Sequence, residues 1–391
     1  MRIIVSLTSY PQRIESVHMV VESLYRQIVT PDEIILYLSL EQFPRTEDDL
    51  PDNLKVLIGK KGFRIEWVEG NLKSHKKYYY SLQKYREDIV ITVDDDVIYA
   101  ESMISDLVKG YDRFPYAISA RRTRMILRRE NGLESYKRWD GNLEEYAKVP
   151  RMDLCAIGVG GVCYPPGARS ESWFEKEDMM SIAGNQDDLW LKYNEILDHI
   201  PVLYVLPTQK DSPIRIGNVG KNSLFCSNIN GGNDHCASTL LERLRTAQPS
   251  QYQKWFQSLM NWNEYAAQKR AYYSNIIRTD FDKEKDMPIY LYGAGKIAES
   301  LLDQLSELQL TNHITAVAVS SKEENPSELK GIAVKQLNQI DRGKRFGIIF
   351  GVNESNRHQI ETTVLKECNY CTIDLNTQAL TKYFDIISGW K

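Results

Sequence analysis

A continuous apolar run, Ile89-Val-Ile-Thr-Val93, ends in three consecutive carboxylates, Asp94-Asp95-Asp96. Uninterrupted β-branched residues suit a strand covered on both faces, the environment of a mostly parallel sheet inside an α/β domain. Ligands of open α/β sheets bind beyond the carboxyl ends of such strands, so the triplet stands where a site is expected. If extended geometry persists, side chains alternate and Asp94 and Asp96 project to one side, Asp95 to the other. Carboxylates so crowded repel unless a cation neutralises them. A hard divalent ion, Mn²⁺ or Mg²⁺, held by one or two carboxylates plus substrate phosphates meets that need. The plainer alternative is a solvated acidic turn after a core strand.

From residue 1 to about 210, short apolar strands alternate with helical patterns, which again indicates a mostly parallel sheet flanked by helices. Strands are expected at Ile3 to Leu7, Glu33 to Leu38, Arg64 to Trp67, Ile89 to Val93 and Ala117 to Ala120, and helices at Ser16 to Gln27 and Lys76 to Tyr85. The 391 residues suffice for two domains of ordinary size. A net charge of −4 supplies no basic field, so nucleic-acid binding is disfavoured. Six scattered cysteines fit a reducing compartment. The N-terminus lacks a signal-peptide core, and no apolar stretch is long enough to span a bilayer. The expected location is the cytoplasm, with association at the inner face of a membrane and homo-oligomerisation left open.

Candidate site residues cluster around the same sheet edge. The first strand runs into Thr8-Ser9-Tyr10-Pro-Gln-Arg13, a loop able to hold a nucleotide base and ribose, or else an ordinary connection whose hydroxyls cap the next helix. Lys76 and Lys77, beside His75, form a basic cluster that can meet phosphate oxygens; a solvated basic turn is the alternative. Asp95 is grouped with these as a donor-binding residue. Asp187 and Asp188 open a predicted helix, where one carboxylate would serve as a cap and the second is left to act as general base. Ile157-Gly-Val-Gly-Gly-Val-Cys163 offers a glycine-rich strand end where a ligand can approach the backbone. His235, in a loop with Asp234, is the candidate for a further metal ligand. Five arginines between Arg121 and Arg129 face either an anionic acceptor or solvent, and Cys368-Asn-Tyr-Cys371 lacks a second pair for zinc.

Aromatic and aliphatic residues from Tyr252 to Ile277 fall near one face of a single expected helix, followed by a charged linker ending at Pro288. Beyond it, Gly293-Ala-Gly-Lys-Ile-Ala298 lies between a strand and an amphipathic helix, the layout of a small Rossmann-like unit. An acidic ribose ligand is missing after the second strand, where Ser320, Ser321 and Lys322 stand, so NAD is disfavoured. The expected divisions are residues 1–245, a helical linker 246–285, and a nucleotide-binding or structural domain 286–391.

Taken together, Ile3 to Leu7 with Thr8-Ser9-Tyr10, the triplet Asp94-Asp95-Asp96, Gly160-Gly161 and Gln186-Asp-Asp-Leu-Trp190 resemble the nucleotide-sugar-dependent glycosyltransferases of the GT-A fold that build bacterial surface polysaccharides. The resemblance implies a GT-A-like domain over about residues 1 to 240 and transfer from a nucleoside diphosphate sugar, with UDP expected, to a glycan or lipid-linked hydroxyl. It further implies that Asp94 and Asp96 hold the metal and that Asp188 deprotonates the acceptor with inversion, with Asp187 beside it. Two rival readings are a nucleotide-sugar oxidoreductase or epimerase centred on the C-terminal unit, and an inactive sugar-binding scaffold.

Overall fold

The computed structural model describes all residues of the chain except 142–143, 209–213, 217–230, 284–285, 322, 324, 342, 367, 374, 376–378, 382 and 385–391. It divides into two compact units, Met1–Trp262 and Asn263–Lys391. Residues 246–285, read above as a linker, are shared between them.

The strands of the first unit are β1 (Ile3–Thr8), β2 (Glu33–Ser39), β3 (Phe63–Val68), β4 (Ile89–Thr92), β5 (Val97–Ile98), β6 (Ile118–Ala120), β7 (Thr123–Met125), β8 (Leu154–Ala156), β9 (Val162–Tyr164), β10 (Val202–Tyr204) and β11 (Ile214–Arg215). Seven form one sheet in the order β10-β6-β9-β4-β1-β2-β3. All its pairings are parallel except those of β9, which runs antiparallel to both β4 and β6. The fold class is therefore the expected α/β arrangement with a mostly parallel sheet. Both faces of its centre are covered, and Ile4, Val5, Leu7, Ile34, Ile35, Leu36 and Ile91 have no exposed surface. That explains why these strands read as unbroken apolar runs rather than alternations. Val5, Leu7 and Ile91 pack with α1 (Val17–Tyr25) through Val17, Val20, Val21 and Leu24, each such side chain contributing about 1.5–3 kcal/mol of burial.

Helix α2 (Lys76–Lys84) lies against β1, and the Ser6 hydroxyl donates to the Lys77 carbonyl. Next come α3 (Met103–Arg113), α4 (Lys176–Ala183), α5 (Asp187–Leu197), α6 (Asn233–Ala247) and α7 (Pro249–Ser258). The aromatic stripe expected as one helix is broken after Ser258, and a second helix, α8 (Trp262–Asp282), follows. The break has a hydrogen-bonded cause. Arg128 N–H donates to the Met260 carbonyl at 3.1 Å, Trp262 N–H to the Arg128 carbonyl at 2.9 Å, and Arg128 Nε to the Leu259 carbonyl at 3.0 Å.

The second unit holds β12 (Ile289–Tyr292), α9 (Lys296–Glu307), β13 (Ile314–Val319), β14 (Glu328–Leu329), β15 (Ile332–Gln336), β16 (Phe346–Phe350), α10 (Glu354–Thr363) and β17 (Tyr370–Thr372). Its sheet order is β14-β15-β13-β12-β16-β17, parallel except for the β14 hairpin. Ile277 and Phe281 of α8 join its core. Strand order reverses between β12 and β16, where the glycine turn sits. Gly293 has φ +108°, and a Cβ there would stand 2.8 Å from Val352 Cγ1. A Cβ on Gly351 would stand 2.8 Å from Ala298 Cβ, so this glycine lets α9 approach the sheet. Tyr292 and Ser320 are joined by a hydroxyl–hydroxyl hydrogen bond, while Lys322 lies outside the described residues. Among the described residues no helix is long and apolar enough to cross a membrane.

Candidate active site

Strand β4 stops at Thr92, and the three aspartates turn toward β5 instead of continuing the strand. The alternating pincer expected from extended geometry is thus replaced by a turn in which each carboxylate is steered by its own partner. Asp95 is buried, accepts from Ser9 Oγ at 2.5 Å and pairs with Arg13 Nη1 at 2.9 Å. Arg13 also reaches Asp96 at 3.1 Å. Asp94 Oδ1 takes the Lys77 ammonium at 2.7 Å, and its N–H donates to the Tyr99 hydroxyl at 2.8 Å. The repulsion foreseen within the triplet is therefore answered partly by Arg13 and Lys77.

Lys77 is placed by the turn before α2. His75 is fully buried, with Nδ1 2.8 Å from the Tyr78 hydroxyl and Nε2 2.8 Å from the Ala183 carbonyl. Donation to that carbonyl fixes the Nε2–H tautomer, and burial pushes the imidazole pKa down, so the ring is neutral. It ties the start of α2 to the end of α4, just before α5 begins. Lys77 consequently reaches Asp187 at 3.0 Å as well as Asp94. The basic cluster is not a solvated turn: His75, Lys76 and Lys77 are all buried. Lys76 Nζ donates to Gln42 Oε1 at 3.1 Å and approaches Asn71 Oδ1 at 3.4 Å; burial lowers its pKa to about 8, with Asp95 opposing.

The two carboxylates at the start of α5 have opposite characters. Burial disfavours the charge of Asp187, but the Lys77 cation outweighs it and holds this carboxyl below its ordinary range. Asp188 is pushed well up, first by burial and then by the Asp187 charge. Its Oδ1 accepts the Gly158 N–H at 3.0 Å, so it faces inward rather than capping its own helix. Asp96 is likewise raised by burial and by Asp94. Gly158, in the turn between β8 and β9, lies at the junction. A Cβ there would stand 3.0 Å from Lys77 Nζ and 3.3 Å from the nearer oxygens of Asp188 and Asp94.

One cavity of about 1210 Å³ joins these groups, large enough for a nucleotide-sugar. Thr8, Ser9, Tyr10, Arg13, Lys76, Lys77, the aspartate triplet, Asp187 and Asp188 all line it. Thr8 Oγ1 is committed to the Tyr37 carbonyl at 2.8 Å, and the Tyr10 ring lies under the Arg13 guanidinium at 5.5 Å. His235 does not line the cavity. It is exposed in the first turn of α6, not in a loop, while Asp234 accepts from the Tyr136 N–H at 2.6 Å and Ser135 Oγ at 3.1 Å. Cavity residues unforeseen from sequence include Gln42, Asn71, Tyr136, Arg215 and Asn233. None carries a local signal, since each arrives from a separate turn, helix end or short strand. Among the described residues no three His, Cys, Asp or Glu side chains converge as a metal site. Among the described residues the carboxylates of Asp94 and Asp96 are available to a cation, which fits the low ligand count of an ion held mainly by substrate phosphates. Cys371 Sγ lies 3.6 Å from Met287 Sδ, within the second unit's sheet.

No protein-family model and no curated protein matches the sequence. Among solved structures, the chain is similar to glucosyl-3-phosphoglycerate synthase from Mycobacterium tuberculosis in complex with Mn²⁺, UDP and phosphoglyceric acid, at 12% identity over 60% of this chain and 78% of that one, TM-score 0.36. It is similar to S. aureus TarS 1–349 in complex with UDP-GlcNAc at 12% identity, over 63% and 65% of the two chains, TM-score 0.36. A third is 4-diphosphocytidyl-2C-methyl-D-erythritol synthase from Anaerococcus prevotii, at 15% identity over 60% and 97%, TM-score 0.36. At these scores the likenesses carry no weight for the chemistry, which stands on the cavity's own geometry.

Proposed function

We propose that the first unit is a glycosyltransferase of GT-A type that moves a sugar from a nucleoside diphosphate, UDP in the first instance, to an acceptor hydroxyl with inversion. The observation that carries this reading is the meeting, in one cavity, of a carboxylate cluster at the end of β4 with a second carboxylate pair of divided character on α5. Asp94 and Asp96 would hold Mn²⁺ or Mg²⁺, which when bound supplies charge neutralisation for the leaving diphosphate. Ser9, Tyr10 and Arg13 border the place of the nucleoside, with Lys76 beneath it. Asp188 is the base: its raised proton affinity suits it to take the acceptor proton, whereas Lys77 neutralises Asp187 and leaves it a positioning role. Gly158 leaves unfilled the space between Asp94 and Asp188, since a Cβ there would stand 3.3 Å from an oxygen of each. The glycine turn of the second unit is assigned to phosphate or acceptor docking, without redox use of NAD.

The test is release of UDP from UDP-sugars by the full chain with and without Mn²⁺. Metal-dependent release, lost in both Asp94→Ala and Asp96→Ala together with Mn²⁺-dependent UDP binding, is expected. Undiminished metal-dependent binding in both variants would remove the assignment of the donor site.

A further inference from the structure

The arginine run after β6 is sorted by its contacts. Arg121 pairs with the buried Asp106 at 3.5 Å. Arg124 Nη1 donates to the carbonyls of Tyr136 at 3.2 Å and Trp139 at 3.0 Å and stacks on the Tyr136 ring. Arg128 bonds the Leu259 carbonyl, and Arg129 pairs with Glu134 at 2.7 Å. Arg122 differs from all four. It lines the cavity and is partly buried, and its side chain makes no hydrogen bond or ion pair with any described residue. Its backbone is held by the Ile157 N–H, which donates to the Arg122 carbonyl at 2.9 Å, and Gly160 packs so close that a Cβ there would stand 2.7 Å from Arg122 Cβ.

The charges around Arg122 make this position costly. After burial, the strongest influences disfavouring its charge are the neighbouring cations Arg124 and Arg215, and the carboxylate acting most on it is Asp188. A partly desolvated guanidinium facing two like charges is unfavourable unless an anion arrives, and charge-assisted pairing then offsets the cost. Arg215 pairs with Val97 in the β5–β11 ladder and Ile216 N–H donates to the Asp96 carbonyl at 2.8 Å, whereas the Arg122 carbonyl accepts from Ile157, next to Gly158, whose N–H binds Asp188 at 3.0 Å. An anion bound at Arg122 therefore sits beside the hydroxyl that Asp188 would deprotonate.

We infer that the acceptor carries a negatively charged group, a phosphate or a carboxylate, and that Arg122 is its receptor in the cavity. This rests on the glycosyl-transfer reading for the identity of the acceptor side, but not for anion binding itself. A specificity follows: neutral sugars that lack the charge are poor acceptors.

The experiment uses the full chain saturated with UDP and Mg²⁺, so that the donor side is filled. Methyl phosphate and acetate, which separate the two anion chemistries, are titrated by calorimetry into the wild type, Arg122→Met and Arg122→Lys. At least one anion should bind the wild type. Arg122→Met should weaken it at least ~10-fold, the loss of one charge-assisted pair, and Arg122→Lys should recover part of it. UDP affinity should be the same in all three. The inference is overturned if neither anion binds the wild type, if Arg122→Met binds it equally well, or if that variant loses UDP affinity in step, which would give the arginine to the donor diphosphate. Should UDP fail to bind even the wild type, the glycosyl-transfer reading falls, while anion titrations into the unliganded chain still decide the role of Arg122.

Discussion

Replacing Lys77 by methionine removes the cation that bridges Asp94 and Asp187 while keeping the length of the side chain. The Lys77 side chain is 5% exposed and its partners Asp94 and Asp187 are 28% and 12% exposed. Breaking a buried pair by deleting one partner costs about 3–5 kcal/mol, because the orphaned charge stays desolvated. Water reaches Asp94 more than Asp187, so the lower end, about 3 kcal/mol, is expected. At roughly 2–4 °C per kcal/mol for a unit of this size, the melting temperature should fall by about 6–12 °C at pH 7 in EDTA. The sign of the pH dependence follows from Asp187. In the wild type its folded pKa is depressed, so its contribution is present above the unfolded value near ~3.9 and is lost as pH falls through the folded one. Without Lys77 burial raises that pKa, and the penalty is relieved as pH falls through the raised value. The deficit of Lys77→Met should therefore be smaller at pH 4.5 than at pH 7. A loss under about 2 °C at pH 7, or an equal loss at both pH values, would refute the bridging account.

Asp188→Asn should lower turnover at least ~10²-fold with UDP affinity kept, and should abolish the acid limb of kcat/KM that the wild type shows as pH falls through the raised Asp188 pKa. If Asp187→Asn gives that pattern instead, the base is its neighbour. Gly158→Ala should crowd Lys77, Asp188 and Asp94 at once, destabilising the chain by about 1–3 kcal/mol and cutting transfer more than UDP binding; a fully active variant would show that the junction tolerates expansion.

Local chemistry made much of this protein readable from its residues. Buried strands announce themselves by unbroken β-branched runs, helices by period, and a carboxylate cluster at a strand end by position, because each depends on residues adjacent in the chain. Hence the main parallel strands were legible, and Asp94 to Asp96, Asp187, Asp188, Ser9, Tyr10 and Arg13, singled out by residue type and position, line one cavity. Charge partnership was not legible. That Lys77 joins Asp94 to Asp187 depends on His75 binding the Ala183 carbonyl across a long sequence separation. The turn that ends β4 at Thr92 and the antiparallel course of β9 are likewise products of packing between distant segments. Nor does an arginine run reveal which member lacks a partner; Asp106, Glu134 and the carbonyls of Tyr136, Trp139 and Leu259 satisfy the others only once the chain has folded. Periodicity is set by neighbours in sequence, but the desolvation and Coulomb energies that make Asp188 differ from Asp187 are set by neighbours in space.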